Sequence, residues 1–218
     1  MRLAGASPSP PSEPVMSLDP SVLRSLIAVA AERVIASASE LTALDQAIGD
    51  GDHGLNMKRG SAAVLAELDA IAAKPTGEAL KAVGMTLVMK VGGASGPLYG
   101  SLFIAMGKQL GDRPASLAVL PELLAAGVTA VSARGKSTAG EKTMLDVLVP
   151  VLEAARTGGS DLGARLRKAA SSAAAATVPI RATKGRAAFL GERSIGHMDP
   201  GARSSEIIIE ALSHFLDG

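Results

Sequence analysis

The feature that most constrains the fold is the recurrence of apolar residues at helical spacing along most of the chain. Val22, Leu23, Leu26 and Ile27 begin this pattern directly after Asp19-Pro20, a pair typical of a helix start. No segment shows the alternation of apolar and polar residues, bounded by turn residues, that indicates a strand. Clusters of glycine, proline and aspartate divide the pattern into helix-length segments. The sequence therefore predicts an all-α fold of about eight antiparallel helices joined by short loops.

Composition supports one helical domain over residues 17–218. Apolar residues make up 47% of the 218, but aromatic residues only 2%, so alanine, leucine and valine must fill the core. Small side chains let helices pack closely. Residues 1–16 are rich in proline, which prevents a helix there. We expect them to form a disordered leader, with Met16 as an alternative start.

Several classes of protein are disfavoured by composition. The formal net charge is +1, which gives no electrostatic reason for binding nucleic acid. No apolar run reaches the length of about 18 residues that indicates a membrane span. The chain has no cysteine, which excludes disulfides, thiolate-bound zinc and a thiol nucleophile. The absence of cysteine fits a cytoplasmic protein.

The segment 44–57 concentrates the acidic side chains. Asp45, Asp50 and Asp52 lie within eight residues, separated by glycines and without lysine or arginine among them. Carboxylates held this close repel one another unless a cation lies between them. Carboxylate oxygens are the ligands that Mg²⁺ and Ca²⁺ prefer. Because a helical pattern begins at Leu55, backbone N–H groups at that helix start would face an anion held by the metal. The segment predicts a metal–phosphate site.

A plainer interpretation remains open for the same segment. A turn rich in aspartate and glycine between two helices is often a solvated turn with an aspartate N-cap. The spacing does not match an EF-hand loop. His53 is more readily interpreted as a hydrogen-bonding group than as a metal ligand.

Two further segments are candidates for phosphate binding. Residues 92–100 contain glycines and Ser95 between two helices, so unobstructed N–H groups and a hydroxyl could hold a phosphate. An ordinary glycine-rich helix–helix turn explains the same residues. Residues 181–201 are predicted to form a long loop, in which Arg186 and its basic neighbours could hold phosphates. A surface loop with solvated charges is the alternative.

Together these segments resemble a known family. In order and spacing, 45–57, 92–100, 140–146 and 184–201 are similar to the nucleotide-binding L subunit, or L domain, of dihydroxyacetone kinases. The resemblance extends from about Ser17 to the end of the chain. It implies an up-and-down barrel of eight antiparallel helices, with the nucleotide site in the loops at one end.

The resemblance also implies roles for individual residues. Asp45, Asp50 and Asp52 would bind two Mg²⁺ ions. The residues expected to contact ADP or ATP are His53, Gly54, Leu55, Asn56, Ala94, Ser95, Gly135, Met144, Arg186, Asp199, Pro200 and Gly201. No residue of this chain is expected to be catalytic, because in the family a histidine of a separate K subunit binds the ketone.

The function implied is that of a kinase subunit acting on dihydroxyacetone or a close ketose, together with its K subunit. Tightly held ADP would be rephosphorylated by a phosphohistidine protein of the phosphoenolpyruvate-dependent phosphotransferase system. The alternatives are a subunit that uses ATP directly and a nucleotide-sensing regulator without a catalytic partner. A metal-dependent phosphohydrolase would need a general base, for which the sequence offers no dedicated candidate.

Overall fold

The regular secondary structure of the described residues is entirely helical. The computed structural model describes residues 18–157 and 159–216, so the predicted leader at 1–16 lies outside the described residues. No strand occurs within these ranges, and the all-α prediction is confirmed. The α-helices are α1 (Pro20–Ala36), α2 (Ala38–Ile48), α3 (His53–Ala66), α4 (Leu68–Ala72), α5 (Thr76–Lys90), α6 (Ser95–Leu110), α7 (Leu120–Gly135), α8 (Leu145–Arg156), α9 (Leu162–Ala176) and α10 (Pro200–Ser213). Short 3-10 helices cover Leu117–Val119, Arg186–Ser194 and His214–Leu216.

Several helix boundaries differ from the sequence prediction in ways that matter for the site. Helix α3 begins at His53 rather than at Leu55, and α6 begins at Ser95 rather than near Leu98. Two further differences involve α2 and α10. The predicted second helix, which was to lead into Asp45, continues beyond it to Ile48, so Asp45 lies in the last turn of α2. The last helix begins at Pro200 rather than near Ser204, because the Asp199 carboxylate accepts a hydrogen bond from the Ala202 N–H at 2.7 Å and caps it. Both shifts place side chains of the predicted turns on helix ends.

Helices that follow one another in sequence pack against one another from α5 to α10, and α10 returns to pack against α1 and α2. Helix α3 packs against α1, α2 and α5. The approach of α5 to α6 is close enough to need glycine: a Cβ at Gly84 would lie 2.8 Å from the Gly100 carbonyl, and one at Gly100 would lie 2.9 Å from the Gly84 carbonyl. Small residues therefore set this interhelical distance.

The core consists largely of leucine, valine and alanine, as the composition predicted. The main cluster includes Leu41, Val131 and Leu145, and Tyr99 is buried within it. A second cluster joins α8 to α9, where Val147 and Val151 face alanines. Full burial of such side chains stabilises the fold by about 1.5–3 kcal/mol for each valine or leucine.

One described segment, Leu117–Gly135, is long and apolar enough to cross a membrane by length and composition. The sequence prediction of no membrane span did not single it out. The segment contains α7, which packs against α6 and α8 of the same bundle. Core helices have this composition too, so it is weak evidence for a membrane span.

Candidate functional site

Three carboxylates converge where α2 ends and α3 begins. One oxygen each of Asp45, Asp50 and Asp52 lies within 4.8 Å of the other two. Asp45 is buried and its Oδ2 accepts a hydrogen bond from the His53 N–H at 3.0 Å. Asp50 and Asp52 lie in the turn that follows, where Gly51 takes a φ of +76°. The positive φ reverses the chain, so the turn brings its carboxylates back towards the one on α2.

The chemistry of this cluster fits a hard divalent cation. Its donors are carboxylate oxygens, which Mg²⁺ and Ca²⁺ bind in preference to softer ligands. The ion pair described at the cluster joins Arg186 to Asp50, with 3.0 Å between Nη2 and Oδ2. One guanidinium leaves three neighbouring carboxylates incompletely compensated. Asp45, Asp50 and Asp52, which the sequence predicted as metal ligands, lie close enough together to hold one ion, and their role as ligands stays a prediction.

His53 connects the acidic cluster to two other helices. Its Nδ1 lies 3.0 Å from the Ser95 hydroxyl at the start of α6, and its Nε2 lies 3.0 Å from the Ser204 hydroxyl on α10. Burial lowers the pKa of His53, while the charges of Asp45 and Asp52 oppose this shift. With both ring nitrogens engaged by hydroxyls, His53 acts as a hydrogen-bonding group in this structure, as the sequence indicated.

The glycine turn at 92–94 lies against the first turn of α3. Asn56 is buried, and its Oδ1 accepts a hydrogen bond from Arg59 Nη2 at 2.8 Å. A Cβ at Gly92 would lie 2.7 Å from that same oxygen, so a larger residue there would require the side chains of Asn56 and Arg59 to shift. Ala94 is exposed and immediately precedes Ser95, the first residue of α6. The N-termini of α3 and α6 are thereby brought together, and such termini favour anions.

Gly54 and Leu55 were also predicted to contact the nucleotide. Gly54 is buried against α2, where a Cβ would collide with the Ala38 carbonyl and the Thr42 hydroxyl. Its lack of a side chain is therefore required for the packing of α3 on α2. Leu55 is 63% exposed on the other side of the same turn. Contact of either residue with a nucleotide stays a prediction.

The remaining predicted residues lie at the end of α7 and at the starts of α8 and α10. Met144 is buried just before α8, and a Cβ at Gly201 would lie 3.5 Å from its backbone nitrogen. The capping carboxylate of Asp199 is buried, and burial raises its pKa to about 7. Pro200 occupies the first turn of α10. Gly135 ends α7 near Leu98 and Ser137.

Sequence reasoning assigned no role to Lys142, which holds the segment leading to α10. Lys142 is 1% exposed, and its side chain enters the protein from a backbone with φ of +64°. Its ammonium nitrogen lies 2.5–3.5 Å from the backbone carbonyl oxygens of Thr177, Val178, Ile180, Ser194 and His197, and its three N–H groups donate hydrogen bonds among them. Burial lowers the pKa of Lys142, and the charges of Asp199 and Asp146 oppose that shift. The ammonium thus fixes the segment that carries Arg186 towards Asp50.

Comparison with known proteins identifies the family of this chain. A family model described as "DAK2 domain" matches residues 47–214. The chain belongs to the DAK2 domain family. This DAK2 chain is 45% identical over 181 residues to "PEP-dependent dihydroxyacetone kinase 1, ADP-binding subunit DhaL" of Listeria innocua, covering 83% of this chain and 89% of that protein. It is 47% identical over 180 residues to the "PEP-dependent dihydroxyacetone kinase, ADP-binding subunit DhaL" of Escherichia coli, covering 79% and 86%.

More distant relatives contain a DAK2-like region within a longer chain. The "D-erythrulose kinase" of Mycolicibacterium smegmatis is 36% identical over 188 residues, which cover 80% of this chain and 32% of that protein. The crystal structure of the dihydroxyacetone kinase from C. freundii in complex with AMP-PNP and Mg²⁺ superimposes with a TM-score of 0.72 at 22% identity. The match covers 99% of this chain and 38% of that one and shows a shared fold. The resemblance to dihydroxyacetone kinase L subunits is confirmed.

In this DAK2 domain His53 contacts Ser95 as well as Ser204, whereas Lys142, Tyr99 and Ser204 had no role assigned from the sequence. Lys142 lies in one of the family segments, yet its backbone acceptors have no residue-type signature. Tyr99 lies in another, and its hydroxyl is 2.7 Å from the Ser204 hydroxyl that contacts His53. Ser204 itself lies outside the segments that pointed to the family. The signal available for Lys142 and Tyr99 was their position within two of the segments that resemble the family.

Proposed function

We propose that this chain is the nucleotide-binding subunit of a two-subunit kinase that phosphorylates dihydroxyacetone or a close ketose. The observation that carries the proposal is the convergence of Asp45, Asp50 and Asp52 within 4.8 Å, beside the N-termini of α3 and α6. Relatives at 45% and 47% identity are named as ADP-binding subunits of dihydroxyacetone kinases. An acidic cluster next to anion-favouring helix ends is suited to a metal–nucleotide complex.

The proposed ligands are ADP or ATP with two Mg²⁺ ions, held by the three aspartates. Bound there, Mg²⁺ would neutralise the phosphate charge and fix the phosphate geometry. The chain itself would contribute N–H groups at the starts of α3 and α6, the Ser95 hydroxyl and the Arg186 guanidinium. These groups hold and orient the phosphates, which is most of what phosphoryl transfer requires from a protein.

We further infer that the helices form the closed barrel expected for the family. Packing of α10 on α1 supports this, because the last helix meets the first. Three helix starts, those of α3, α6 and α10, meet at His53. A closed ring would hold these helix ends at fixed distances, as positioning of phosphates demands.

Substrate would be held by a separate K subunit, because the proposed site of this chain binds phosphates and offers no group assigned to the ketone. The phosphoryl donor we favour is a phosphohistidine protein of the phosphotransferase system, which would rephosphorylate bound ADP. The names of the relatives, which describe kinases dependent on phosphoenolpyruvate, support this choice over direct use of ATP. A cytoplasmic location goes with this proposal.

Reconstitution tests the proposal. The purified chain is mixed with dihydroxyacetone and Mg-ATP, with and without a K subunit and the phosphotransferase proteins with phosphoenolpyruvate. We expect product only when the K subunit is present, and only with phosphoenolpyruvate if ADP stays bound. Native mass spectrometry of the purified chain should show co-purified ADP. Steady turnover by the isolated chain would overturn the two-subunit proposal, and no turnover in any mixture would favour the regulatory alternative.

A further inference from the structure

A buried chain of hydrogen bonds leads from the predicted phosphate site into the core. From Ser95 it passes through His53 to Ser204, with 3.0 Å for each contact, and on to Tyr99 at 2.7 Å. It ends at Ser205, whose hydroxyl lies 2.9 Å from the Tyr99 hydroxyl. Tyr99, Ser204 and Ser205 are each at most 1% exposed. Side chains this deeply buried are shielded from bulk solvent, and each contact needs a proton from one of its two partners.

From this geometry we infer that Tyr99 is a positioning residue for Ser95: it acts through Ser204 and His53 to direct the Ser95 proton towards a bound phosphate. The inference rests on the proposed function, because it takes the anion at Ser95 to be a nucleotide phosphate. Tyr99 itself does not touch the predicted ligand. Burial raises its pKa to about 12, so its hydroxyl stays a neutral donor.

A bound phosphate fixes the direction in which these hydrogen bonds are donated. A phosphate oxygen accepts hydrogen bonds, so Ser95 must donate its proton outward to bind it. The contact between Ser95 and neutral His53 then requires the proton on Nδ1. Nε2 is left as an acceptor and must receive the proton of Ser204. The contact between Ser204 and Tyr99 can then be made only by the Tyr99 proton. One arrangement, with protons donated in sequence from Ser205 to Ser95, satisfies the four contacts that link these five residues in the phosphate-bound state.

A competing acceptor lies beside the chain. The Gly201 carbonyl is 2.9 Å from the Ser205 hydroxyl and 3.1 Å from the Ser204 hydroxyl. When Ser204 donates to this carbonyl, His53 carries its proton on Nε2, and Ser95 turns its proton inward to Nδ1. Ser95 then presents only lone pairs to the site. The Tyr99 hydroxyl holds Ser204 at 2.7 Å in the position from which it reaches His53.

Without the Tyr99 hydroxyl, the Ser204 hydroxyl can donate its proton either to His53 or to the Gly201 carbonyl. Tyr99→Phe keeps the ring that packs in the core, so the fold is retained. We expect its affinity for Mg-ADP to fall about twofold to fivefold, the upper value being complete loss of a roughly 1 kcal/mol hydrogen bond at Ser95. In a Ser95→Ala background the same change should have no effect on affinity, because the group that Tyr99 positions is already absent.

The experiment is a double-mutant cycle on Mg-ADP affinity by calorimetry, with ¹⁵N spectra of the histidine rings at pH 8. At that pH an imidazole is neutral, so the spectra report which nitrogen carries the proton. In the parent with Mg-ADP, His53 should be protonated on Nδ1. In Tyr99→Phe it should be a mixture of both forms, while the signals of His197 and His214 are unchanged. Ser204→Ala interrupts the series of hydrogen bonds at a second residue and should weaken Mg-ADP binding similarly.

Thr86→Val is the matched control, because it removes a buried hydroxyl that is not part of this series of hydrogen bonds and contacts Glu67 at 2.9 Å. It should alter neither affinity nor the His53 signal. Equal losses from Tyr99→Phe with and without Ser95, or an unchanged His53 signal in Tyr99→Phe, would overturn the role of Tyr99 alone. Failure of the parent to bind Mg-ADP would overturn the proposed function and this inference with it.

Discussion

Two charged centres contact the segment 177–201, and their charges are compensated in different ways. The Lys142 ammonium is buried, and five backbone carbonyl oxygens of the same protein lie within hydrogen-bond distance of it. The acidic centre combines three carboxylates with Arg186, whose side chain is 65% exposed. The first centre is complete within the chain, whereas the second has more negative than positive charge. A centre of the second kind is suited to receive a cation from outside.

The energies of the two centres should differ accordingly. Moving an ammonium out of water costs several kcal/mol, which charge-assisted hydrogen bonds must offset. Losing one member of such a buried centre is therefore costly. An exposed arginine–aspartate pair contributes only about 0–1 kcal/mol. The contrast separates a centre that stabilises the fold from one that binds a ligand, and substitutions can test it.

The largest expected effect is the loss of stability on Lys142→Met. The variant leaves the carbonyls of Ile180, Ser194 and His197 without the ammonium donor, and we expect the free energy of unfolding to fall by about 3–5 kcal/mol. Urea denaturation measures it. Lys74→Met, at an exposed lysine, is the control and should change stability by less than about 0.5 kcal/mol. Similar values for the two variants would show that the buried ammonium does not stabilise the segment.

The acidic centre should respond in binding rather than in stability. Asp50→Asn and Asp52→Asn should each abolish binding of Mg-ADP, because too few carboxylates remain to hold the metal. Thermal unfolding should show a large Mg-ADP-dependent rise in the parent, none in the two variants and the full rise in Asp112→Asn, an exposed control. Without ligand the variants should unfold at or slightly above the parent's temperature. Retained Mg-ADP binding would refute the metal role.

The cap of α10 adds a pH-dependent test near the Lys142 centre. The Asp199 pKa is raised from 3.8 to about 7, so the folded state holds this proton more tightly than the unfolded state. The contribution of Asp199 to stability is present at low pH and is lost as the pH rises from about 4 to about 7. Asp199→Asn keeps a capping oxygen but cannot ionise. Relative to the parent, it should gain roughly 2–3 kcal/mol between pH 5 and pH 8.

The cap of α1 provides the comparison for that experiment. Asp19 caps through a hydrogen bond from the Ser21 N–H, which lowers its pKa. A lowered pKa means that Asp19 is ionised in both states at pH 5 and above. The difference between parent and Asp19→Asn should therefore stay constant from pH 5 to pH 8. A flat response from Asp199→Asn as well would contradict the assignment of a buried, readily protonated carboxyl.

The smallest expected effect on stability comes from Arg186→Ala. The Arg186–Asp50 pair is exposed, so the free energy of unfolding should change by less than about 0.5 kcal/mol. If Arg186 contacts the phosphates, affinity for Mg-ADP should still fall severalfold, as measured by calorimetry. Arg193→Ala changes an exposed arginine of the same segment and should leave the affinity unchanged. Equal affinity in the Arg186 variant and the parent would remove Arg186 from the proposed site.

Local patterns in the sequence were sufficient to predict the helical fold and the acidic cluster. Helical spacing of apolar residues predicted nearly every helix, because burial of one face depends on residues three and four apart. Asp45, Asp50 and Asp52 lie within eight residues, so any turn there keeps them close. The glycine turn before Ser95 was visible for the same reason. These are short-range properties of the chain.

Only the tertiary structure shows which distant groups complete the site. His53 meets Ser204 across 151 residues, and Arg186 meets Asp50 across the fold. The acceptors of Lys142 are backbone carbonyls, which every residue carries, and Gly54 is small because α2 packs against it. The packing of the helices decides such contacts, and no single residue type marks them in advance. The sequence therefore determined the helices and the acidic cluster, while helix packing determined the groups that hold and orient them.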